Sequence, residues 1–276
     1  MTDTDTDAPI APVAATPLVF ITGASSGIGQ ALALRYRAAG YRLALVARRV
    51  VELQDWADRL GLGHAEAAVY AADVRDLPSL AAAAQRCLLE QGVPDVVIAN
   101  AGVSIGMDTA DPADLDVMRA TLETNLLGMA ATFQPFVHAM AARRSGRLVG
   151  IASVAGIRGL PGHGAYCASK SGVIAYCESL RGECRADGVK VVTVVPGYID
   201  TPLTRHNTYA MPFLMSPEAF AERAFRAIDA GVSYRVIPWQ MGVVAKLLRV
   251  LPNGLYDRVL AGRPRKKRRH EQTGGA

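Results

Sequence analysis

Short apolar runs alternate with longer helix-like stretches along residues 18–237. Most of these runs are continuous in Val, Ile, Leu and Ala, which is typical of strands buried on both faces. Alternating strands and helices indicate a parallel sheet with helices on both faces. We therefore predict an α/β fold built on a single doubly wound parallel sheet of about seven strands. The predicted strands are 18–22, 42–47, 65–71, 95–99, 147–152, 190–195 and 234–237, and the predicted helices are 28–39, 50–60, 77–91, 112–142, 164–186 and 217–230.

The composition fits one folded domain with a different kind of segment at each end. Half of the 276 residues are hydrophobic and 20% are charged, which excludes disorder as a description of the whole chain. The N-terminus has neither the positive region nor the apolar stretch of a signal peptide. We divide the chain into a disordered leader (1–16), a folded domain (17–238), an amphipathic helical extension (239–262) and a basic disordered tail (263–276).

The net charge of +5 is confined to the tail. Residues 263–276 contain six basic residues and a single acid, Glu271, so the remainder of the chain is formally neutral. The tail has no aromatic residues on which bases could stack, and we therefore expect no nucleic-acid partner.

The spacing of cysteines and histidines argues against a metal-binding protein and against a disulfide-stabilised scaffold. The four cysteines show no C-x-x-C spacing and the five histidines are scattered, so we expect no metal site. A chain of this length with four cysteines is not a disulfide scaffold, and a reducing compartment is the simpler interpretation. No apolar run reaches the roughly 18–20 residues of a membrane span. We expect a cytoplasmic protein.

A glycine-rich turn follows the first predicted strand and opens the first predicted helix, in the sequence TGASSGIG at residues 22–29. Glycines permit a sharp turn and a close backbone approach to a pyrophosphate. The N-terminus of the helix adds unpaired N–H groups and a positive dipole end. Because of its position we predict a dinucleotide site here, although similar turns also occur as ordinary loops. The residues concerned are Gly23, Ser25, Ser26, Gly27, Ile28 and Gly29.

The end of the second strand favours NADP(H) as the cofactor. An acid at this position commonly binds the ribose 2′-hydroxyl of NAD, whereas a nearby arginine accommodates a 2′-phosphate. This chain has Arg48 and Arg49 there. The alternative is that both arginines are solvated residues at the start of a helix.

Three residues have the spacing of a proton-transfer site. Ser153 ends the fifth predicted strand, and Tyr166 and Lys170 lie four positions apart on one face of the following helix. A phenol has a pKa of about 10, and a neighbouring ammonium favours its ionised form. Tyr166 could then exchange a proton with a carbonyl or alcohol oxygen near neutral pH. Taken alone, Y-x-x-x-K is more often an exposed helix pair.

Together with their surroundings, these residues resemble the short-chain dehydrogenase/reductase family. The matching pieces occur in the family's order over residues 18–237 and imply the Rossmann-type form of the doubly wound sheet. They are TGASSGIG (22–29), Asp73 with Val74, Asn100-Ala101-Gly102, Asn125, Ser153, Tyr166 with Lys170, and Pro196-Gly197 with Thr201.

The resemblance implies a role for each of these residues. Ser153 would orient the substrate carbonyl, Tyr166 would be the general acid/base, and Lys170 would bind the nicotinamide ribose and lower the pKa of Tyr166. Asn125 would hold a water that links Lys170 to solvent. Asp73 with Val74 would contact the adenine, Asn100, Ala101 and Gly102 the adenosine ribose side, and Pro196, Gly197, Ile199 and Thr201 the nicotinamide.

The segment after the sixth strand indicates a hydrophobic substrate. Residues 202–216 contain Leu203, Met211, Phe213, Leu214 and Met215, which could form an apolar lid or simply pack on the domain. His163 is a weaker candidate for substrate contact. Cys167 beside Tyr166 is interpreted as a small buried residue.

Residues 239–269 extend beyond the family's common core and are similar to the extensions of membrane-associated lipid- or steroid-directed reductases. An apolar helix pair followed by basic residues could lie on an anionic membrane surface, including the inner membrane face. It could instead close the substrate pocket or form a dimer surface. We expect a homodimer or homotetramer. The predicted activity is NADP(H)-dependent interconversion of a carbonyl and a secondary alcohol, and the alternative is a non-catalytic NADP(H)-binding regulator or membrane scaffold.

Overall fold

A continuous parallel sheet of seven strands runs through the computed structural model, which describes residues 16–63, 65–205, 207, 209–262, 264–268 and 271. The strands are β1 (Leu18–Thr22), β2 (Arg42–Ala47), β3 (Ala67–Ala71), β4 (Val96–Ala99), β5 (Gly146–Ile151), β6 (Val189–Pro196) and β7 (Tyr234–Ile237). Their order in the sheet is β3-β2-β1-β4-β5-β6-β7. The order reverses direction between β1 and β4, and in such sheets the crevice at this point is where ligands bind. The predicted doubly wound fold is confirmed.

Helices cover both faces of the sheet. They are α1 (Gly27–Ala38), α2 (Val50–Arg59), α3 (Leu77–Glu90), α4 (Asp114–Leu122), α5 (Gly128–Ala142), α6 (Gly164–Glu183), α7 (Pro217–Asp229), α8 (Trp239–Val250) and α9 (Asn253–Leu260). Side chains alternate across each strand, so Phe20 of β1 packs in the core under α3, α5 and α6, and Ile21 packs in the core under α1, α2 and α7.

The long helix predicted over residues 112–142 is interrupted. A π-helical turn at Glu123–Leu127 separates α4 from α5 and carries the buried Asn125. Such turns insert one extra residue into the helical ladder and are frequent at functional sites. Sequence periodicity did not predict this break because the apolar pattern continues through it.

The C-terminal extension forms α8 and α9, and α9 rests on the loop that follows β5. The Tyr256 hydroxyl donates to the Gly159 carbonyl at 2.6 Å, and the Arg158 guanidinium lies 3.7 Å from the Tyr256 ring centroid. The outer face of α8 is apolar and open to solvent, with Leu247 61% exposed. Within the described ranges, no helix has both the length and the apolar character that a membrane span requires.

Residues 264–268, which we call the C-terminal strap, lie against the folded domain. Arg268 Nε donates to Asp114 Oδ2 at 2.8 Å and also pairs with Asp111, and Arg268 forms a parallel β-bridge with Gly106. The carboxylates of Asp111 and Asp114, together with Gly106, which has no side chain, thus hold the C-terminal strap in a defined position. This part of the tail therefore differs from the disordered tail that the charge run predicted. Most of the predicted leader and the other tail residues, Glu271 excepted, lie outside the described residues.

Candidate active site

The glycine-rich turn is held closed by contacts that leave no room for side chains. Gly23 has a positive φ of 67°, and a β-carbon at Gly29 would lie 2.2 Å from the Gly23 carbonyl oxygen. Asn100 donates from Nδ2 to the carbonyls of Thr22 and Gly23, at 3.1 Å each. Ser26 is the N-cap of α1, but its side chain does not cap the helix. The first-turn N–H groups thus form an anion-binding position beside the turn.

A cleft of about 250 Å³ opens over this turn at the switch point of the sheet. Of the residues predicted to bind the cofactor or to act in catalysis, all but two line the cleft. Gly29 lies beneath the turn, and Asn125 is buried behind the wall. The predicted residues that line it are Gly23, Ser25, Ser26, Gly27, Ile28, Arg48, Arg49, Asp73, Val74, Asn100, Ala101, Gly102, Ser153, Tyr166, Lys170, Pro196, Gly197, Ile199 and Thr201.

Both arginines after β2 reach the cleft. Arg49 Nη2 donates to Ser25 Oγ of the glycine-rich turn at 3.4 Å, and Arg49 also pairs with Glu52 at 3.1 Å. Arg48 lies 3.8 Å from Asp73 and has most of its side chain exposed. This arrangement places two guanidinium groups beside the turn that precedes α1, where they could bind a phosphate.

Asp73 has a partner that the sequence did not reveal. Arg75 donates to both of its carboxylate oxygens, the shortest contact being 2.7 Å. These hydrogen bonds hold the pKa of Asp73 below its usual value. The carboxylate is therefore fixed in its charged form at one end of the cleft.

The predicted catalytic residues meet at the other end of the cleft. Ser153 follows β5 and is buried, and Tyr166 lies in the first turn of α6 with one side open to the cleft. Burial raises the pKa of Tyr166, while its hydrogen bond with Ser153 acts in the opposite direction. The chain's own groups therefore keep Tyr166 protonated at neutral pH, as a proton donor to a carbonyl oxygen must be. The expected lowering of its pKa by Lys170 stays a prediction.

Lys170 is buried one turn further along α6. Its ammonium donates to the Ile151 carbonyl at 2.7 Å and lies 5.9 Å from the Tyr166 ring centroid. Burial lowers the pKa of Lys170 to about 8, because desolvation disfavours the charged form.

Asn125 supports the same end of the cleft from behind. Its side-chain oxygen accepts from the Val103 backbone N–H at 2.8 Å, and its Nδ2 donates to the Val103 carbonyl and to Ser169 Oγ. A β-carbon at Gly102 would lie 3.3 Å from Asn125 Oδ1 and 3.6 Å from Lys170 Nζ. The structure thus brings Asn125 close to Lys170, and its role in a water relay stays a prediction.

A second cavity of about 610 Å³ adjoins the cleft. The two share Ser153, Tyr166, Gly197, Leu203 and Thr204, so a molecule in either one reaches the same serine and tyrosine. The walls of the second cavity are mainly apolar or aromatic. They include Val154, Ala155, Leu160, Pro161, Tyr198, Tyr209, Ala210, Pro212, Leu260 and Pro264.

The predicted apolar lid contributes only in part to this cavity. Leu203 lines it, whereas Phe213 and Leu214 are about half exposed and lie elsewhere. His163 does line it, with its ring nitrogens 3.1 Å from the Pro161 carbonyl and 3.3 Å from the Tyr209 hydroxyl. Burial lowers the pKa of His163, which favours the neutral ring.

Several wall residues were missed by the sequence analysis. Tyr198 and Tyr209 belong to the segment after β6, Leu260 ends α9, and Lys266 lies in the C-terminal strap. The amphipathic spacing of α9 indicated a buried face, but nothing in the basic run distinguished Lys266 from its neighbours. Within the described residues, no group of His, Cys, Asp and Glu side chains is arranged to hold a metal ion.

Comparison with known proteins identifies the class. A family model described as short chain dehydrogenase matches residues 17–211. The chain therefore belongs to the short-chain dehydrogenase family, and it is an oxidoreductase of that family.

Individual relatives agree with this assignment. An uncharacterised oxidoreductase of Myxococcus xanthus is 37% identical over 237 residues, which cover 86% of this chain and 93% of the relative. Dehydrogenase/reductase SDR family member 7B of Bos taurus is 32% identical over 273 residues, which cover 93% of this chain and 84% of the relative. Among solved structures, this chain resembles an alcohol dehydrogenase from the archaeon Thermococcus sibiricus, which was solved in complex with 5-hydroxy-NADP. The two superimpose with a TM-score of 0.72 at 27% sequence identity. The match covers 80% of this chain and 95% of the alcohol dehydrogenase chain. A short-chain dehydrogenase from Streptomyces avermitilis has the same fold, with a TM-score of 0.75 at 24% identity over 89% of this chain and 94% of its own.

Proposed function

We propose that the protein is an NADP(H)-dependent reductase that interconverts a carbonyl and a secondary alcohol on a hydrophobic substrate. The observation that carries this proposal is the junction of the two cavities. Ser153 and Tyr166 lie where a cleft built on a glycine-rich turn meets a larger, mainly apolar cavity. That arrangement suits transfer between a bound nucleotide and a hydrophobic molecule.

The proposed roles of the site residues are supported by their contacts. Bound NADPH supplies the hydride. Ser153 orients the substrate oxygen, and Tyr166, held protonated by its burial, donates the proton that converts the carbonyl oxygen to a hydroxyl. Lys170 is fixed by the Ile151 carbonyl and, when charged, favours the phenolate that remains after proton transfer.

Arg48 and Arg49 support NADP(H) over NAD(H). Both line the cleft, and a charge-assisted hydrogen bond to a 2′-phosphate contributes about 1.5–3 kcal/mol. We expect Arg48→Gln to weaken NADPH binding about 10- to 100-fold while changing NADH binding far less. Arg181→Gln, which removes a solvent-exposed arginine of α6 outside the cleft, is the matched control. Equal losses for the two cofactors would contradict the assignment.

The activity itself is tested by following NADPH oxidation with a panel of hydrophobic ketones and aldehydes. Tyr166→Phe removes only the proposed proton donor, and we expect kcat to fall about 100- to 10,000-fold. Tyr209→Phe removes a hydroxyl from the same cavity that contacts His163, and it should cost much less. NADPH binding without turnover of any compound would favour the alternative of a binding regulator.

Assembly, location and membrane contact remain predictions. We propose a homodimer or homotetramer and a cytoplasmic location. Assembly, or contact of residues 239–269 with a membrane surface, would cover the exposed apolar face of α8. The packing of α9 and the C-terminal strap favours closure of the substrate cavity as a further role of this segment.

A further inference from the structure

The second cavity has one lysine side chain in its wall. The described residues that line it include no Asp, Glu or Arg, and Lys266 is the only lysine among them. Lys266 is only 8% exposed and belongs to the C-terminal strap. A buried ammonium is costly unless an anion or strong acceptors compensate it.

The partners of Lys266 are neutral. Its Nζ donates to the Leu203 carbonyl at 3.0 Å and to Asn207 Oδ1 at 2.7 Å. In the described part of the chain no carboxylate forms an ion pair with it, unlike Arg268 two residues on. An ammonium has three donors, so one remains for a ligand. Leu203 and Asn207 also line the cavity, which places the ammonium at its wall.

The position of Lys266 is fixed by backbone packing. A β-carbon at Gly106 would lie 2.0 Å from the Lys266 carbonyl oxygen, and one at Gly162 would lie 2.9 Å from Arg265 Cβ. The Gly106 N–H donates to the Lys267 carbonyl at 3.1 Å. Two glycines thus let the C-terminal strap approach closely enough for Lys266 to reach the cavity.

We propose that Lys266 binds an anionic group of the substrate, so that the natural substrate is a hydrophobic ketone or secondary alcohol that also carries a carboxylate or a phosphate. This inference rests on the proposed function and specifies its substrate class. Ser153 and Tyr166 hold the reacting oxygen where the cleft joins the cavity, and Lys266 holds the anion at another part of the same wall. Burial lowers the pKa of Lys266 in the free protein, and a bound anion reverses that effect by compensating the charge.

A binding experiment tests the site without requiring turnover. Decanoate, decyl phosphate and decanol are titrated into the full-length protein by calorimetry, with wild type, Lys266→Met and Lys266→Arg. We expect one or both anions to bind wild type about 10- to 100-fold more tightly than decanol, in line with a charge-assisted contact. Lys266→Met should abolish this preference and Lys266→Arg should retain part of it. Binding of decanol as tight as that of both anions, or an unchanged preference in Lys266→Met, overturns the proposal.

A turnover experiment then joins the anion site to the reaction. 9-Oxodecanoic acid and its methyl ester present the same ketone with and without the negative charge. With NADPH, the ratio of kcat/KM for the acid to that for the ester should fall about 10- to 100-fold in Lys266→Met. A purely structural role of Lys266 would lower both values together and leave the ratio unchanged. Anion binding without turnover of either compound would argue against the proposed function and leave the anion site standing.

Discussion

The cleft over the glycine-rich turn and the second cavity each have a buried lysine in their walls, but they are built in different ways. Lys170 lies on α6 beside Tyr166, and its cleft is formed by segments that follow the strands. Lys266 reaches the other cavity from the C-terminal strap, beyond the sheet and every strand in it. The cleft is formed by segments that follow the strands of the sheet, whereas the second cavity is completed by the C-terminal strap, which is distant in sequence. We therefore expect substitutions in the cleft to affect folding and cofactor binding, and substitutions at the strap to affect the substrate alone.

The largest expected effect is at the glycine-rich turn. In Gly29→Ala the new methyl group meets the Gly23 carbonyl and Asn100 Nδ2, neither of which can move freely. We expect the free energy of unfolding to fall by about 1–3 kcal/mol, as for other overpacked sites, and NADPH binding to weaken more than tenfold. Denaturant titration and cofactor fluorescence measure the two effects.

Gly182→Ala is the control for that experiment. This glycine lies in α6 with no atom near the position of a β-carbon, so alanine should stabilise the protein by roughly 0.5–1 kcal/mol. A Gly29→Ala protein as stable as wild type and with normal NADPH affinity would show that the turn is less rigid than its contacts indicate.

Burial of Lys170 makes stability depend on pH. Its pKa is lowered to about 8 in the folded protein, below the ordinary lysine value, so between these two pH values the unfolded chain binds more protons. The free energy of unfolding therefore rises with pH across this window. Relative to Lys170→Met, wild type should gain about 2–3 kcal/mol between pH 7 and pH 10, measured by urea unfolding at fixed ionic strength.

The Cys177 thiol is near Lys170, and burial raises its pKa to about 11. Because Cys177 is present in both proteins, the difference between them isolates the lysine to a first approximation. A difference that stays constant with pH would mean that Lys170 is as well solvated in the folded protein as in the unfolded chain.

A smaller and more selective effect is expected at Gly106. In Gly106→Ala the methyl group would occupy the place of the Lys266 carbonyl and displace the C-terminal strap. We expect KM for a hydrophobic substrate to rise about tenfold, a loss of about 1.4 kcal/mol of binding, with little change in the Kd for NADPH. A matching loss of NADPH affinity would show that the two regions are not independent.

The smallest effect on stability is expected on the outer face of α8. Leu247→Glu and the control Leu115→Glu replace leucines of similar exposure on α8 and α4, and both should change the free energy of unfolding by less than about 0.5 kcal/mol. If residues 239–269 contact a membrane, only Leu247→Glu should reduce co-sedimentation with vesicles containing anionic lipid. Wild-type protein that stays in the supernatant would contradict membrane contact.

The difference between the cleft and the C-terminal strap also explains which parts of the structure could be predicted from the sequence. The strands and the cleft follow from local patterns, because apolar runs mark buried strands and a glycine-rich turn has few other uses at that position. The π-helical turn at Asn125 has no signature in apolar periodicity. The strap could not be predicted either, because its place depends on Asp111, Asp114 and Gly106, which lie about 150 residues away in sequence. Long-range pairing of charges leaves no periodic trace in either segment.

The attachment of the C-terminal strap also determines the order in which the protein is completed during synthesis. A nascent chain emerges from the ribosome with its N-terminus first. Every strand of the sheet precedes the strap, so the nucleotide cleft can form while Lys266 and Arg268 are still inside the exit tunnel. The wall of the larger cavity closes only after the strap has emerged. A nascent chain can thus expose every segment that forms the cleft before it can complete the wall of the second cavity.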